Sequence, residues 1–175
     1  MTSEHADDAR EAQEPEASRI ALTWSGEPGR QEELTHGMLL DQADRAAAVL
    51  RRLGVRAGDR VAVHLPLVPE SVIATLACGR LDAIRATLPV SLTVPELVAR
   101  TRESSARVLI TADAAFWDGA VRPVKPLLDH ALARSAAGAM DRTVLVVNRC
   151  SRPVSWKPGR DLWWHEALGV PSAAH

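Results

Sequence analysis

The stretch Gly58-Asp59-Arg60-Val61-Ala62-Val63-His64-Leu65-Pro66-Leu67-Val68-Pro69 decides the fold. Gly58-Asp59 is a turn signal and Arg60 to Leu65 is a short apolar run of strand length. Pro66 ends that run, because proline has no amide proton to give a sheet ladder. From Pro69 the chain reads as helix to about Leu81, and Ala83-Ile84-Arg85-Ala86-Thr87-Leu88 is a second apolar strand. A strand, a crossover helix and another strand at this spacing predict parallel neighbours in one sheet. The pattern continues in both directions. Thr93 to Glu103 reads as a helix with Pro95 tolerated in its first turn, and Arg107 to Thr111 as a third strand. Val124 to Ser135 follows as a helix with Leu127, Leu128, Ala131 and Leu132 on one face, and Thr143 to Val147 as a fourth strand. Toward the N-terminus, Leu39, Ala43, Ala46, Ala47, Leu50 and Leu53 keep helical spacing from Thr35 or His36, with Gly54 placed as the C-terminal cap. Before that helix, Ile20 to Trp24 and a short run around Glu33 to Thr35 are expected to form a hairpin through Ser25-Gly26-Glu27-Pro28-Gly29. The expected fold class is α/β, an open and mostly parallel sheet flanked by helices, with a small N-terminal β-hairpin. Such sheets bind ligands beyond the C-terminal ends of their strands. Those ends here are His64 to Pro69, Leu88 to Leu92, Thr111 to Gly119 and Asn148 to Arg152.

Composition narrows the function classes. A chain of 175 residues, 46% apolar and 25% charged, suits one globular domain. Residues 1–18 read as a solvated acidic tail carrying Glu4, Asp7, Asp8, Glu11, Glu14 and Glu16, and residues 19–170 as a single α/β domain. The formal net charge of −1 supplies no field to gather nucleic acid or an anionic membrane, so neither partner is expected. No apolar stretch approaches the roughly 20 residues of a membrane helix. The acidic N-terminus lacks the basic and apolar regions of a signal peptide, so the expected location is cytoplasmic. Cys78 lies inside the apolar run Val72 to Cys78 and reads as a buried, inert thiol; Cys150 is too distant in sequence for a Cys-x-x-Cys zinc motif.

The common catalytic signatures are absent. There is no Gly-x-Gly-x-x-Gly after a strand, no Gly-rich loop ending in Gly-Lys-Ser/Thr, and no Gly-x-Ser-x-Gly elbow. His165-Glu166 has no second histidine at helical spacing and reads as a surface pair. His64 ends a strand where ligands often bind, but a lone histidine there ordinarily serves as a hydrogen-bonding residue. By these motifs the chain has no catalytic constellation.

Several segments together carry a more specific signal. Leu53 to Glu70, with its Leu-Gly-Val, Gly-Asp-Arg-Val-Ala and Pro-Glu, resembles a signature stretch of the acetyl-coenzyme A synthetases, members of the acyl-adenylate-forming, AMP-binding superfamily. Leu76-Ala77-Cys78-Gly79-Arg80, Ser104 to Asp113, and Trp156-Lys157-Pro158-Gly159-Arg160-Asp161-Leu162-Trp163-Trp164-His165-Glu166 resemble further segments of that family, in family order and spacing. The resemblance covers about residues 19 to 168 and implies the first α/β subdomain of the family's large N-terminal domain.

That family activates a carboxylate with ATP and passes the acyl group to coenzyme A. The resemblance implies a Ser/Thr/Gly-rich phosphate loop soon after Trp-Trp-His-Glu, and a mobile C-terminal domain with a catalytic lysine. The sequence ends at His175 before either, so the expectation is a truncated unit with incomplete ATP and coenzyme A sites and no cofactor of its own. Where the family places two phosphate-binding arginines, Trp117 and Ala120 stand. Its glycine-bearing loop after the second strand is here Pro89-Val90-Ser91-Leu92, and the histidine before it is Arg85. Trp163 and Trp164 are expected to pack the core or a hinge, or to lie on a flank that a neighbouring subdomain covers in the parent.

No catalytic or metal residue is therefore expected. The candidate ligand or partner contacts are Arg85, Pro89, Leu92, Arg100, Trp117, Trp163 and Trp164. The leading expectation is a non-catalytic unit that binds a protein partner or forms a homodimer. The alternatives are one subunit of a split acyl-adenylating ligase completed in trans, and a small-molecule binder using Arg85, Trp117 and Arg100.

Overall fold

The computed structural model describes residues 15–135 and 141–174. A hairpin of β1 (Ile20–Glu27) and β2 (Arg30–Thr35) leads into α1 (His36–Arg52). Thr35 caps that helix by accepting from the Met38 amide, and Gly54, in the left-handed region at φ 89°, ends it. Then come β3 (Arg60–His64), α2 (Pro69–Arg80), β4 (Ile84–Thr87), α3 (Val94–Ser104), β5 (Val108–Ala112), β6 (Ala114–Trp117), β7 (Ala120–Pro123), α4 (Lys125–Arg134), β8 (Thr143–Val147), β9 (Asp161–Trp163) and α5 (Trp164–Leu168).

The main sheet has strand order β4-β3-β5-β8-β9, and every pairing in it is parallel. Parallel sheets need cover on both faces, and β5 shows it, with all five residues from Val108 to Ala112 buried. On one face Val61, Val63, Ile110 and Leu145 pack with Leu50 of α1, Ile73 of α2 and Trp164 of α5. On the other, Ala62, Leu109, Val144 and Val146 pack with Leu97 of α3 and Leu128 of α4. The α/β class, the four expected parallel strands and their helices thus agree with the periodicity.

Three features differ from the sequence expectation. The N-terminal hairpin runs to its tip, where Glu27 pairs with Arg30 across Pro28-Gly29. The segment after β5, expected as a loop, is a β6–β7 hairpin; Asp118 (φ 51°) and Gly119 (φ 74°) form the two-residue turn that such a hairpin favours. A fifth strand, β9, and α5 occupy the Trp-Trp-His-Glu segment, which is too short for periodicity to reveal. Of the acidic tail, residues 1–14 lie outside the described residues; Glu16–Ser18 form a 3-10 turn against α1.

Candidate functional site

The C-terminal ends of the strands carry an ionic assembly built on Asp113, the residue after β5. Its buried carboxylate accepts the amides of Arg149 (2.8 Å), Cys150 (3.2 Å) and Arg152 (2.8 Å), which fixes the loop leaving β8. That loop sends the Arg149 side chain under the N-terminal hairpin, where it is fully buried. Its guanidinium donates to both oxygens of Glu70 at 3.2 Å and to Glu32 at 2.9 Å, and lies 4.5 Å from the Trp24 ring centroid. Arg30 pairs with Glu27 (3.1 Å) and Glu32 (2.8 Å), and donates to the carbonyls of Arg149 and Ala173. Trp24 Nε1 donates to the Leu67 carbonyl, so the hairpin is tied across the exit of β3. Burial pushes the Glu70 carboxyl up against the pull of Arg149. Burial also works to lower Arg149, but Glu70, Glu32 and Glu27 outweigh it and hold the guanidinium above its ordinary pKa.

His64, ending β3, is 1% exposed. Its Nδ1 lies 3.3 Å from Thr111 Oγ1, and its Nε2 has no partner among the described residues. Burial lowers its pKa from 6.5 to about 4, so the ring is neutral near pH 7.

A second buried ion network shapes the opposite end of the sheet. Lys125, wholly buried, donates to Asp129 (2.7 Å) and the Ser155 carbonyl (2.6 Å) and pairs with Asp161 (2.9 Å). Arg160 pairs with both Asp129 and Asp161 at 2.5 Å. Burial alone would raise Asp161, but the hydrogen bonds from Arg160, the Lys157 amide and Lys125 hold it below its usual range. This network fixes the loop before β9 and brings Trp156 against Trp163, with ring centroids 4.7 Å apart. Beside that pair, along the outer edge of β9, runs a mainly apolar cleft of about 490 Å³ that also involves Leu53, Leu162 and Ala167.

The seven residues expected as contacts do not converge. Arg85, on edge strand β4, is turned back onto α2, donating to the Ser71 carbonyl (2.9 Å), Ser71 Oγ (2.9 Å) and Thr75 Oγ1. Arg100 is exposed on α3, which covers the other face of the sheet, and Trp117 sits in the β6–β7 hairpin with Arg122 5.2 Å over its ring. The joint Arg85, Trp117 and Arg100 site is therefore not assembled. Pro89 is exposed and Leu92 packs partly against the core. Trp163 reaches the cleft, whereas Trp164 is 3% exposed and belongs to the core. Sequence reasoning missed Arg149, Glu70 and Lys125, because a one-dimensional pattern cannot tell a buried charge from a surface one. Lys125 carried a faint signal as one of only two lysines. Among the described residues no group of three or more His, Cys, Asp or Glu is placed to hold a metal ion, and no helix is long and apolar enough to cross a membrane.

A family model described as AMP-binding enzyme matches residues 9–168. Relatives include the acetyl-coenzyme A synthetase of Mycobacterium tuberculosis, 44% identical over 158 residues, or 90% of this chain and 24% of the relative. Those of Streptomyces coelicolor (40% over 157 residues; 90% and 24%) and Deinococcus radiodurans (37% over 167 residues; 95% and 25%) are also similar. The chain spans about a quarter of the length of these curated relatives.

Proposed function

The chain belongs to the AMP-binding enzyme family, and from that premise we propose that these 175 residues form a non-catalytic binding unit that acts on another polypeptide. One observation carries the reading. At the strand ends, where this fold class receives ligands, Asp113 and Arg149 are both engaged by internal partners. The mainly apolar cleft lies elsewhere, along β9. Adenylation draws most of its rate from cations and dipoles preorganised around the triphosphate. A guanidinium locked by carboxylates, as Arg149 is, does not supply them. The family resemblance adds that Trp117 and Ala120 stand at the positions of two phosphate-binding arginines, and that Pro89 to Leu92 fills a loop kept open by glycine.

The direct assay is ATP–pyrophosphate exchange by the purified chain with acetate and a panel of other carboxylates. No exchange is expected, and calorimetry with coenzyme A should show no saturable heat. Robust exchange by the isolated chain would overturn the reading. A second reading, one part of a split acyl-adenylating ligase completed in trans, is favoured by the 44% identity to an acetyl-coenzyme A synthetase. In that case exchange should appear only when the partner polypeptide is added.

A further inference from the structure

We infer that the β1–β2 hairpin and residues 170–174, which follow α5, form one conformational unit, with Arg30 as the side chain that makes them seat and unseat together. Displacing the hairpin at the strand ends then releases the segment after α5 as well.

The two parts are far apart in sequence, yet both rest on the loop leaving β8. Gly169, in the left-handed region at φ 66°, ends α5 and turns the chain. Val170 and Ala173 then pack, partly buried, against the same core cluster as Leu22 and Trp24 of β1. Asn148 Nδ2 donates to Ser172 Oγ at 3.2 Å, which fastens the segment to the exit of β8. The hairpin reaches that exit through Arg149, whose guanidinium donates to Glu32 and whose carbonyl accepts from Arg30. Asp113 holds the amides of Arg149, Cys150 and Arg152, so the loop is a fixed base for both.

A shared base alone would leave the two parts independent; Arg30 joins them directly. The hairpin's own carboxylates aim its guanidinium, Glu27 at 3.1 Å from Nη1 and Glu32 at 2.8 Å from Nη2. The same two nitrogens reach out of the hairpin, Nη1 to the Arg149 carbonyl at 3.1 Å and Nη2 to the Ala173 carbonyl, 143 residues away in sequence. A planar fork held in this way presents its remaining donors in fixed directions. Lifting the hairpin carries the fork off and strips the Ala173 carbonyl of a charge-assisted bond. Lifting residues 170–174 leaves a largely buried guanidinium short of an acceptor. Each part therefore stabilises the docked state of the other, which makes one cooperative unit of them rather than two ends that fray separately. On its other side the hairpin is seated by Trp24 Nε1 on the Leu67 carbonyl, at the exit of β3. That exit is one of the strand ends where this fold class receives ligands, so an event there is transmitted through Arg30 to Ala173.

Two readouts on the full chain test the coupling, with far-ultraviolet circular dichroism confirming that each variant is folded. Hydrogen exchange of the β1 and β2 amides reports the hairpin. Native-state thiol labelling of Ala173→Cys reports the segment, resolved by peptide mass from the two natural cysteines, Cys78 and Cys150. Trp24→Phe removes the indole bond to Leu67, and Trp24 makes no hydrogen bond to residues 170–174 among the described residues. It should speed hairpin exchange about fivefold, the worth of one neutral hydrogen bond, and labelling at position 173 by a similar factor. Arg30→Met, which keeps the apolar stem and loses the fork, should speed both and break the link. Adding Trp24→Phe to it should then speed the hairpin alone, and Arg30→Gln makes the same comparison should the methionine variant fail to fold. Faster hairpin exchange in Trp24→Phe with labelling at 173 unchanged would overturn the inference. So would a response at 173 that persists in the double variant, because the β8 loop and not Arg30 would then carry it. A hairpin indifferent to both single substitutions would overturn it equally.

Discussion

Arg149→Ala should lower folding stability by about 3–5 kcal/mol, the usual cost of removing one partner from a buried charge pair. The cause is not the lost contacts alone. Without the guanidinium, Glu70 and Glu32 lose their shared counter-charge, and the Glu70 carboxyl, which burial already pushes up, has no nearby cation in its place. For a domain of this size each kcal/mol shifts the midpoint by roughly 2–4 °C, so a thermal melt should move down by about 10 °C. Arg149→Lys should recover only part of this, since an ammonium cannot span Glu70 and Glu32 as a planar fork does. Adding Glu70→Gln to Arg149→Ala should cost less than the sum of the two single changes, because the second removes a charge that the first left stranded. Hydrogen exchange should show where the damage falls. Amides of β1 and β2 should lose protection first, because that hairpin buries only Leu34 fully and depends on Trp24, Arg30 and Arg149 for its seat. A melt for Arg149→Ala within about 1 °C of wild type would show that the cluster contributes nothing net.

Acid should destabilise the protein through His64. In the unfolded chain the imidazole takes up a proton near its ordinary pKa of 6.5, whereas in the folded chain burial holds it to about 4. Between those values the unfolded state binds more protons, so stability rises with pH across the window. His64 therefore costs nothing above about pH 6.5, and its penalty grows until pH falls to about 4, reaching about 3 kcal/mol. Glu70 acts with the opposite sign: its raised folded pKa means that the folded state gains a proton first as pH falls. A direct comparison isolates the histidine. Urea denaturation of wild type and His64→Leu at several values between pH 4 and 7 should give a sloping profile for the wild type and a flatter one for the variant. Identical slopes would show that His64 does not carry the acid sensitivity.

How much of this was legible beforehand follows from what each signal depends on. Gly58-Asp59, Pro66 and the apolar run between them act within a few residues, so β3 and α2 could be placed from local chemistry. The same holds for Gly54 at the end of α1 and for the helical spacing of Leu39, Ala43 and Leu50. Asp118-Gly119 is an equally local hairpin signal, but a strand exit followed by a loop satisfies the same residues, and only the pairing of Ala114–Trp117 with Ala120–Pro123 makes them a hairpin. β9 was invisible for a different reason. Three residues show no periodicity, and Asp161 to Trp163 becomes a strand only because β8 offers it a ladder.

The amino-acid sequence by itself determined the parallel α/β class, the helices on both faces, the leading hairpin and, through its motif series, the family. Those properties come from short-range periodicity, turn residues and ancestry, all of which are written along the chain. The tertiary structure alone decided which charges are buried and which residues share a site. Arg149 meets Glu32 and Glu70 across 117 and 79 residues, and Lys125 meets Asp161 only once α4 and β9 are packed together. Arg85 and Trp163, grouped together as candidates, stand at opposite edges of the sheet because the strand order puts β4 at one edge and β9 at the other. Strand order and desolvation are set by how distant segments pack, and no local pattern encodes them.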